Sequence, residues 1–339
     1  MGFALYTDQD LWADWLKNED RNYTMGVGLQ ANGQFVTRLP NARLHFLLDR
    51  ILGLEPPLEA LTFHGLTLVG SGYTPDSLLA EDPVVGDRPY GSHLLLATRR
   101  LQVRGSMENE AVVTELYLGA LGLGVAPWIQ TEIHERNPSP TPMGWDHQIS
   151  DGGEPTAAYR LAYERRLTGY RDRTVAKVVD VSAGGDVWAG YYTNASVGGT
   201  VRLGRFYSQF WEFNAAPLQG IAQAVPTRER PSGFEAFIFG GARERAVLYN
   251  ALLYGQFRAS DYTLAWSDTN HLITEFILGM QVRVPVCGWS VAATYSVSGR
   301  TSEIRGAYAR THIWGSAHVS LVRALGGPPT MRSGEAGGR

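Results

Sequence analysis

One short stretch of this 339-residue chain carries residue types and a spacing suited to acid–base chemistry: Pro127-Trp128-Ile129-Gln130-Thr131-Glu132-Ile133-His134-Glu135. Proline suits the first helical position and no breaker follows, so the spacing predicts a helix over 127–136. Gln130 and His134, four apart, then share a face. Imidazole titrates near neutral pH and is a ready proton carrier, and an amide one turn earlier can orient water or substrate. The spacing by itself favours a plainer account, an amphipathic loop helix with a solvated histidine.

Two further groups stand out. In Asp8-Gln9-Asp10, strand parity sets both carboxylates opposite Phe3 and Leu5. If those two face lipid, the carboxylates face the lumen or its rim, as ligands for a hard cation or as a solvated rim. Asp87-Arg88-Pro89-Tyr90 is a loop-to-strand entry that also reads as a turn with an internal ion pair. The chain has no Gly-x-Ser-x-Gly elbow, no His-Glu-x-x-His helix and no phosphate-binding Gly-x-x-x-x-Gly-Lys loop.

The elements that must hold these residues are strands. In 273–284, Thr274, Phe276, Leu278, Met280, Val282 and Val284 oppose Glu275, Ile277, Gly279, Gln281 and Arg283. In 287–298, Cys287, Trp289, Val291, Ala293, Tyr295 and Val297 oppose small and polar partners. This period of two marks strands with two unlike faces. About twelve such runs occur, near 3–9, 23–31, 60–71, 90–103, 109–121, 156–167, 174–183, 186–203, 234–245, 272–284, 287–298 and 311–322. Their even number and lengths near ten fit a transmembrane β-barrel; a soluble β-sandwich or lipocalin-like barrel is the alternative. Connections of a few residues, as at 284–286, alternate with long ones at 40–58, 122–155 and 206–232, as short periplasmic turns and long outer loops would. Inward Gly26, Gly28, Gly279 and Gly288 would leave space in the lumen, and outward Tyr23, Phe276, Trp289 and Tyr295 would meet lipid.

Composition agrees. Glycine is 39 of 339 residues against about 7% on average, and 37 aromatics accompany it, a pairing that suits strands and tight turns. The mean hydropathy of −0.16 excludes spanning helices only. The longest uncharged run, from Glu115 to Glu132, is broken by glycines and Pro127. One cysteine, Cys287, excludes a disulfide framework, and a net charge of −3 gives no reason to expect nucleic acid as a partner. No secretory signal is visible at the N-terminus. Residues 1–323 read as one barrel domain and the Gly/Pro-rich 324–339 as a disordered tail.

These segments together resemble the lipid A 3′-O-deacylase family of Gram-negative outer membranes. The resemblance is carried by Asp8-Gln9-Asp10-Leu11, Asp20-Arg21-Asn22-Tyr23-Thr24-Met25-Gly26, Tyr73-Thr74-Pro75 and Gly86-Asp87-Arg88-Pro89-Tyr90-Gly91. Its most specific part runs from Leu118-Gly119 through Gln130 and His134 to Gly144-Trp145-Asp146-His147-Gln148-Ile149, and Tyr163-Glu164-Arg165 and 250–255 extend it. It implies a twelve-stranded antiparallel transmembrane β-barrel with a short helix in an extracellular loop. The implied activity is calcium-dependent hydrolysis of the 3′ acyloxyacyl ester of lipid A, the lipid portion of lipopolysaccharide, among membrane lipids. By the same resemblance Asp10, with Asp8 and Gln9, falls at the metal position, and the catalytic residues are His134 as base, Gln130 one turn before it and the inward Thr24. Arg88, with Asp87 and Tyr90, would bind a glucosamine phosphate. Gln9 stands where the family has asparagine, and no carboxylate orienting His134 can be placed among Glu132, Glu135 and Asp146. The chain also lacks a terminal aromatic. A catalytically silent lipopolysaccharide-binding barrel and a different acyl esterase are the alternatives.

Overall fold

A computed structural model describes residues 1–9, 22–105, 108–136, 140–169, 175–213, 225 and 233–323. Its frame is twelve antiparallel strands: β1 (Gly2–Gln9), β2 (Asn22–Asn32), β3 (Leu61–Thr74), β4 (Gly91–Arg104), β5 (Glu110–Leu121), β6 (Glu154–Arg166), β7 (Lys177–Gly190), β8 (Tyr192–Phe206), β9 (Glu235–Asn250), β10 (Leu272–Val286), β11 (Trp289–Arg300) and β12 (His312–Arg323). Each pairs with its sequence neighbours, and β12 returns to β1 in a register running from Gly2↔Val322 to Gln9↔Gly315. Closure leaves no backbone edge unpaired, which a strand structure needs in hydrocarbon.

The alternation read from the sequence becomes two faces. Phe3, Leu5, Phe276, Leu278, Met280 and Val282 are exposed on the outside, whereas Tyr6, Asp8, Ile277, Gln281 and Arg283 are buried inside. The lumen is packed, not open. Arg160 bridges Glu115 at 2.7 Å and Asp186 at 2.9 Å, Arg243 joins Asp186 at 2.9 Å, and Arg245 meets Glu275 at 3.0 Å. Buried charges persist only when paired in this way. The lumen space expected at the inward glycines is occupied: a Cβ on Gly28 would fall 1.8 Å from the Tyr6 ring, and one on Gly26 1.8 Å from the Tyr23 hydroxyl. Gly288 lies in the two-residue turn between β10 and β11, at φ +83°. Tyr23 faces inward, contrary to the expectation. The register slips between Tyr23 and Met25, and one extra residue reverses the parity of everything before it.

A second correction concerns β7 and β8. Gly184-Gly185 reads as the break between them, yet β7 runs through both to Gly190 and the chain reverses at Tyr191. The glycines are there because the neighbouring strand is close: a Cβ at Gly184 would lie 2.1 Å from the Tyr163 carbonyl oxygen. A third concerns the loops. Strand parity places the long connections 33–60 and 207–234 at the rim that carries both termini, while 75–90, 122–153, 251–271 and 301–311 lie at the opposite, loop rim. The expectation had grouped 40–58 and 206–232 with 122–155.

Helices from both rims fold onto the outside of the wall. Helix α1 (Pro40–Ile51) buries Ala42, His45 and Asp49 against outward residues of β3–β6, and exposes Leu44, Leu47 and Ile51. Its polar stripe faces protein and its apolar stripe faces away, the reverse of a helix on a water-soluble domain. That explains an anomaly in β4, whose outward side chains Thr98, Arg100 and Gln102 are polar yet buried: they lie beneath or beside α1, where Arg100 pairs with Asp49 and Gln102 donates to the Leu54 carbonyl at 2.8 Å.

Candidate functional site

The second outer helix, α2 (Val125–Arg136), starts two residues before the predicted helix and buries Ala126, Gln130 and His134 as one stripe. Its Ala126 end faces the barrel's outer wall. A Cβ on Gly72 would lie 3.4 Å from Ala126, 3.5 Å from Met25 and 3.6 Å from Trp145, so an outward glycine of β3 lets the helix region approach the strands. The chain enters α2 through Gly122, at φ +66°, whose N–H donates to the Ser92 carbonyl at 2.9 Å. Ser92 itself donates to Gln148 Oε1 at 2.9 Å, and Ile149 N–H donates to the Tyr90 carbonyl at 2.8 Å. These bonds clamp the ends of the long loop to the start of β4.

Within the clamp the polar atoms have defined partners. His134 Nδ1 lies 2.6 Å from the Pro140 carbonyl oxygen. A carbonyl only accepts, so Nδ1 carries a proton, and in the neutral imidazole Nε2 holds the lone pair. The orienting group is therefore a backbone carbonyl; of the three carboxylates considered, Glu132 pairs with Arg136 at 2.7 Å on the exposed side, and Glu135 and Asp146 are exposed. Trp145 Nε1 donates to Gln130 Oε1 at 2.8 Å, and the Trp145 ring packs on Tyr90 at a centroid distance of 4.8 Å. The Gln130 Nε2 donor is buried without a partner among the described residues. Thr24, the extra residue at the β2 register shift, meets Thr74 hydroxyl to hydroxyl at 2.7 Å. Thr74 shares parity with Gly72, so Thr24 lies on the outer side of the wall and not inward as the resemblance implied.

Between α2 and the wall is a cleft of about 180 Å³ lined by Gln9, Met25, Val27, Ala126, Ile129 and Ile133 among others. Gln9, Thr24, Tyr90, Gln130 and His134 thus belong to this outer side. Asp8 does not: it is buried inside the barrel and accepts from the Tyr23 hydroxyl at 2.8 Å. Asp10 lies outside the described residues. Asp8 and Gln9 point to opposite faces of β1 and their side chains cannot share one ion.

Arg88 and Asp87 also lie apart from the cleft. Arg88 is buried above the lumen, over the Tyr73 ring at 4.4 Å and bonded to Glu303 at 3.0 Å. Glu303 also pairs with Arg300 at 3.0 Å. Burial pushes its carboxyl up, but the two guanidinium groups outweigh this and hold it below the ordinary value. Asp87 accepts from the backbone N–H groups of Asp76 at 2.6 Å and Arg88 at 2.7 Å, and burial leaves its carboxyl raised despite them. Burial likewise pushes the Tyr90 hydroxyl up to about 12. Trp145 was visible only as part of a motif, and Glu303, 215 positions from Arg88, left no local signal.

The model of the family described as "Outer membrane protein LpxR" matches residues 3–322. Among solved structures, LpxR from Salmonella typhimurium superposes with a TM-score of 0.69 at 17% identity, covering 95% of this chain and 100% of that one. The β domain of the Bordetella autotransporter BrkA (TM-score 0.40, 12% identity, 94% and 97% covered) and the KdgM porin (0.37, 5%, 96% and 99%) are more distant barrels. No curated protein matches.

Proposed function

Because the chain belongs to the LpxR family of outer-membrane proteins, we propose that it is an outer-membrane lipid A 3′-O-deacylase, with His134 as general base in the cleft between α2 and the wall. The observation that carries the reading is that one outer helix buries Gln130 and His134 on one stripe and, with Ala126, Ile129 and Ile133, lines an apolar cleft on the outer, lipid-facing side of the barrel. An amphiphile held in the outer leaflet reaches that side without entering the lumen.

Chemically the arrangement suits ester hydrolysis by water. Nε2 of His134 takes a proton from water as the oxygen attacks the ester carbonyl, a role worth roughly 10²–10⁴ in rate. The Gln130 amide, its oxygen fixed by Trp145, offers its N–H to the carbonyl oxygen as negative charge develops there. The imidazolium then returns the proton to the departing sugar alkoxide, giving a fatty acid and a free hydroxyl. The Pro140 carbonyl holds the tautomer throughout. Arg88 gives Nη1 to Glu303 and lies over Tyr73, while its Nε and Nη2 are buried without a hydrogen-bond partner among the described residues; phosphate recognition would use these two donors once they are uncovered.

Calcium belongs to the proposal through the family resemblance and would polarise the carbonyl when bound. The side-chain oxygens on this outer side, among them Thr7, Gln9 and Ser92 of the cleft lining and the Thr24–Thr74 pair, are neutral, and no group of three or more metal-ligating side chains is assembled among the described residues. These residues alone do not make a calcium site, and Asp10 would have to supply the carboxylate.

Mass spectrometry of lipid A from cells expressing the wild type and His134→Ala tests the reading. Loss of the 3′ chain with the wild type and its retention with the variant are expected; retention with both overturns the activity. Tight lipid A binding without turnover would favour the catalytically silent barrel, for which Gln9 in place of asparagine is the motive.

A further inference from the structure

The cleft beneath α2 does not end at the helix. It shares Leu29 and Leu68 with a second depression that continues down the outer wall past Leu66, Leu96, Phe3 and Leu321. Its floor on β3 is formed by outward Gly70, Leu68 and Leu66, beside Val27 and Leu29 of β2 and Leu94 and Leu96 of β4. At the upper end the furrow is roofed by Ile129 and Ile133 of α2, so a chain entering there has protein on both sides, unlike one resting elsewhere on the belt. From Gly70 to Leu66 the strand rises about 13 Å, close to the ~15 Å spanned by the acyl chains of one leaflet.

We propose that this furrow seats the acyl chain of the amphiphilic substrate, with Gly70 as the position that sets how long a chain is accepted. The inference rests on the hydrolase reading for its consequence in turnover, but the seat itself is a binding property. Surrounding lipid is as apolar as the furrow, so burial from water supplies little preference. Selectivity comes from shape: Gly70 leaves a groove that an extended chain fills, and a side chain at this position obstructs it. A Cβ there meets only ordinary contacts, 3.5 Å from Leu94 and 3.7 Å from the His93 carbonyl, so Gly70→Leu enters the groove without disturbing the barrel.

The experiment uses purified full-length protein in phospholipid vesicles containing a minor fraction of lipid A. In the first arm, release of long and short acyl chains is compared for wild type, Gly70→Ala and Gly70→Leu. Gly70→Leu is expected to lower the long-to-short ratio about tenfold, about 1.4 kcal/mol, and an unchanged ratio overturns the proposal. In the second arm, His134→Ala is loaded with lipid A carrying a photoreactive diazirine near the acyl terminus, and adducts are mapped by mass spectrometry. Adducts concentrated at Leu66, Leu68 and Leu96, and reduced by adding Gly70→Leu, support the furrow. Adducts spread evenly to the far wall at Phe276 and Leu278 overturn it. Concentrated adducts with no wild-type turnover would leave the furrow standing and remove the hydrolase reading.

Discussion

Replacing Asp49 with alanine should detach α1 from the barrel wall. The Asp49 carboxylate is fully buried, accepts from the Tyr159 hydroxyl at 2.5 Å and the Thr114 hydroxyl at 3.0 Å, and pairs with Arg100. His45 Nε2 stands 3.0 Å from Thr114 and 3.4 Å from Asp49 in the same array. Removing one partner of a buried ion pair costs about 3–5 kcal/mol, because the other charge stays desolvated. Arg100 keeps its bond to the Leu54 carbonyl at 3.0 Å, so the lower end, about 3 kcal/mol, is expected. Urea unfolding of the barrel in detergent micelles, followed by tryptophan fluorescence, measures it, and protease cleavage within 53–60 reports release of the helix. Replacing both charges, as Asp49→Leu with Arg100→Met, should recover most of the loss, since paired removal of buried partners is nearly neutral. If Asp49→Ala unfolds within about 0.5 kcal/mol of the wild type, an error well below any buried-pair effect, the packing of α1 through a desolvated charge is refuted.

Other outcomes follow from the loop rim. Glu303 is held below its ordinary value by Arg300 and Arg88; a depressed carboxylate contributes stability above its unfolded pKa and loses it as pH falls. Thermal melting of the wild type should therefore decline below about pH 4.5, and Glu303→Gln should be less stable at neutral pH with a flatter acid slope; identical slopes would remove the assignment. Gly122→Ala places a Cβ 2.1 Å from the Ser150 carbonyl at φ +66° and should cost about 2 kcal/mol while displacing α2, read as a lowered melting temperature with lost deacylation. Trp145→Phe frees the Gln130 oxygen and should lower kcat roughly tenfold with little change in KM; a pure KM effect would speak against Gln130 at the reacting carbonyl. Deacylation in excess chelator should fall sharply if Asp10 completes a calcium site, and unaltered turnover would remove the metal.

How much was legible in the sequence depends on the range of the interaction. Period-two alternation is a local consequence of strand geometry, so it determined the number of strands and their faces wherever no bulge intervenes, and it missed the reversed face of Tyr23 and the run of β7 through Gly184-Gly185. Spacing of four likewise placed Gln130 and His134 on one stripe. Only the tertiary structure decided which side of the wall that stripe covers. The bulge at Tyr23–Met25 puts Thr24 with Thr74 on the outer side, and Gly72 lets α2 approach there, whereas Asp8 and Arg88 turn to the lumen. The polar outward residues of β4 are compatible with a membrane wall only because α1 covers Arg100. A carbonyl at Pro140 orients His134, and Glu303 engages Arg88 across 215 positions. Such pairings are set by barrel closure and by where loops fold back, and neither leaves a trace in the spacing of neighbouring residues.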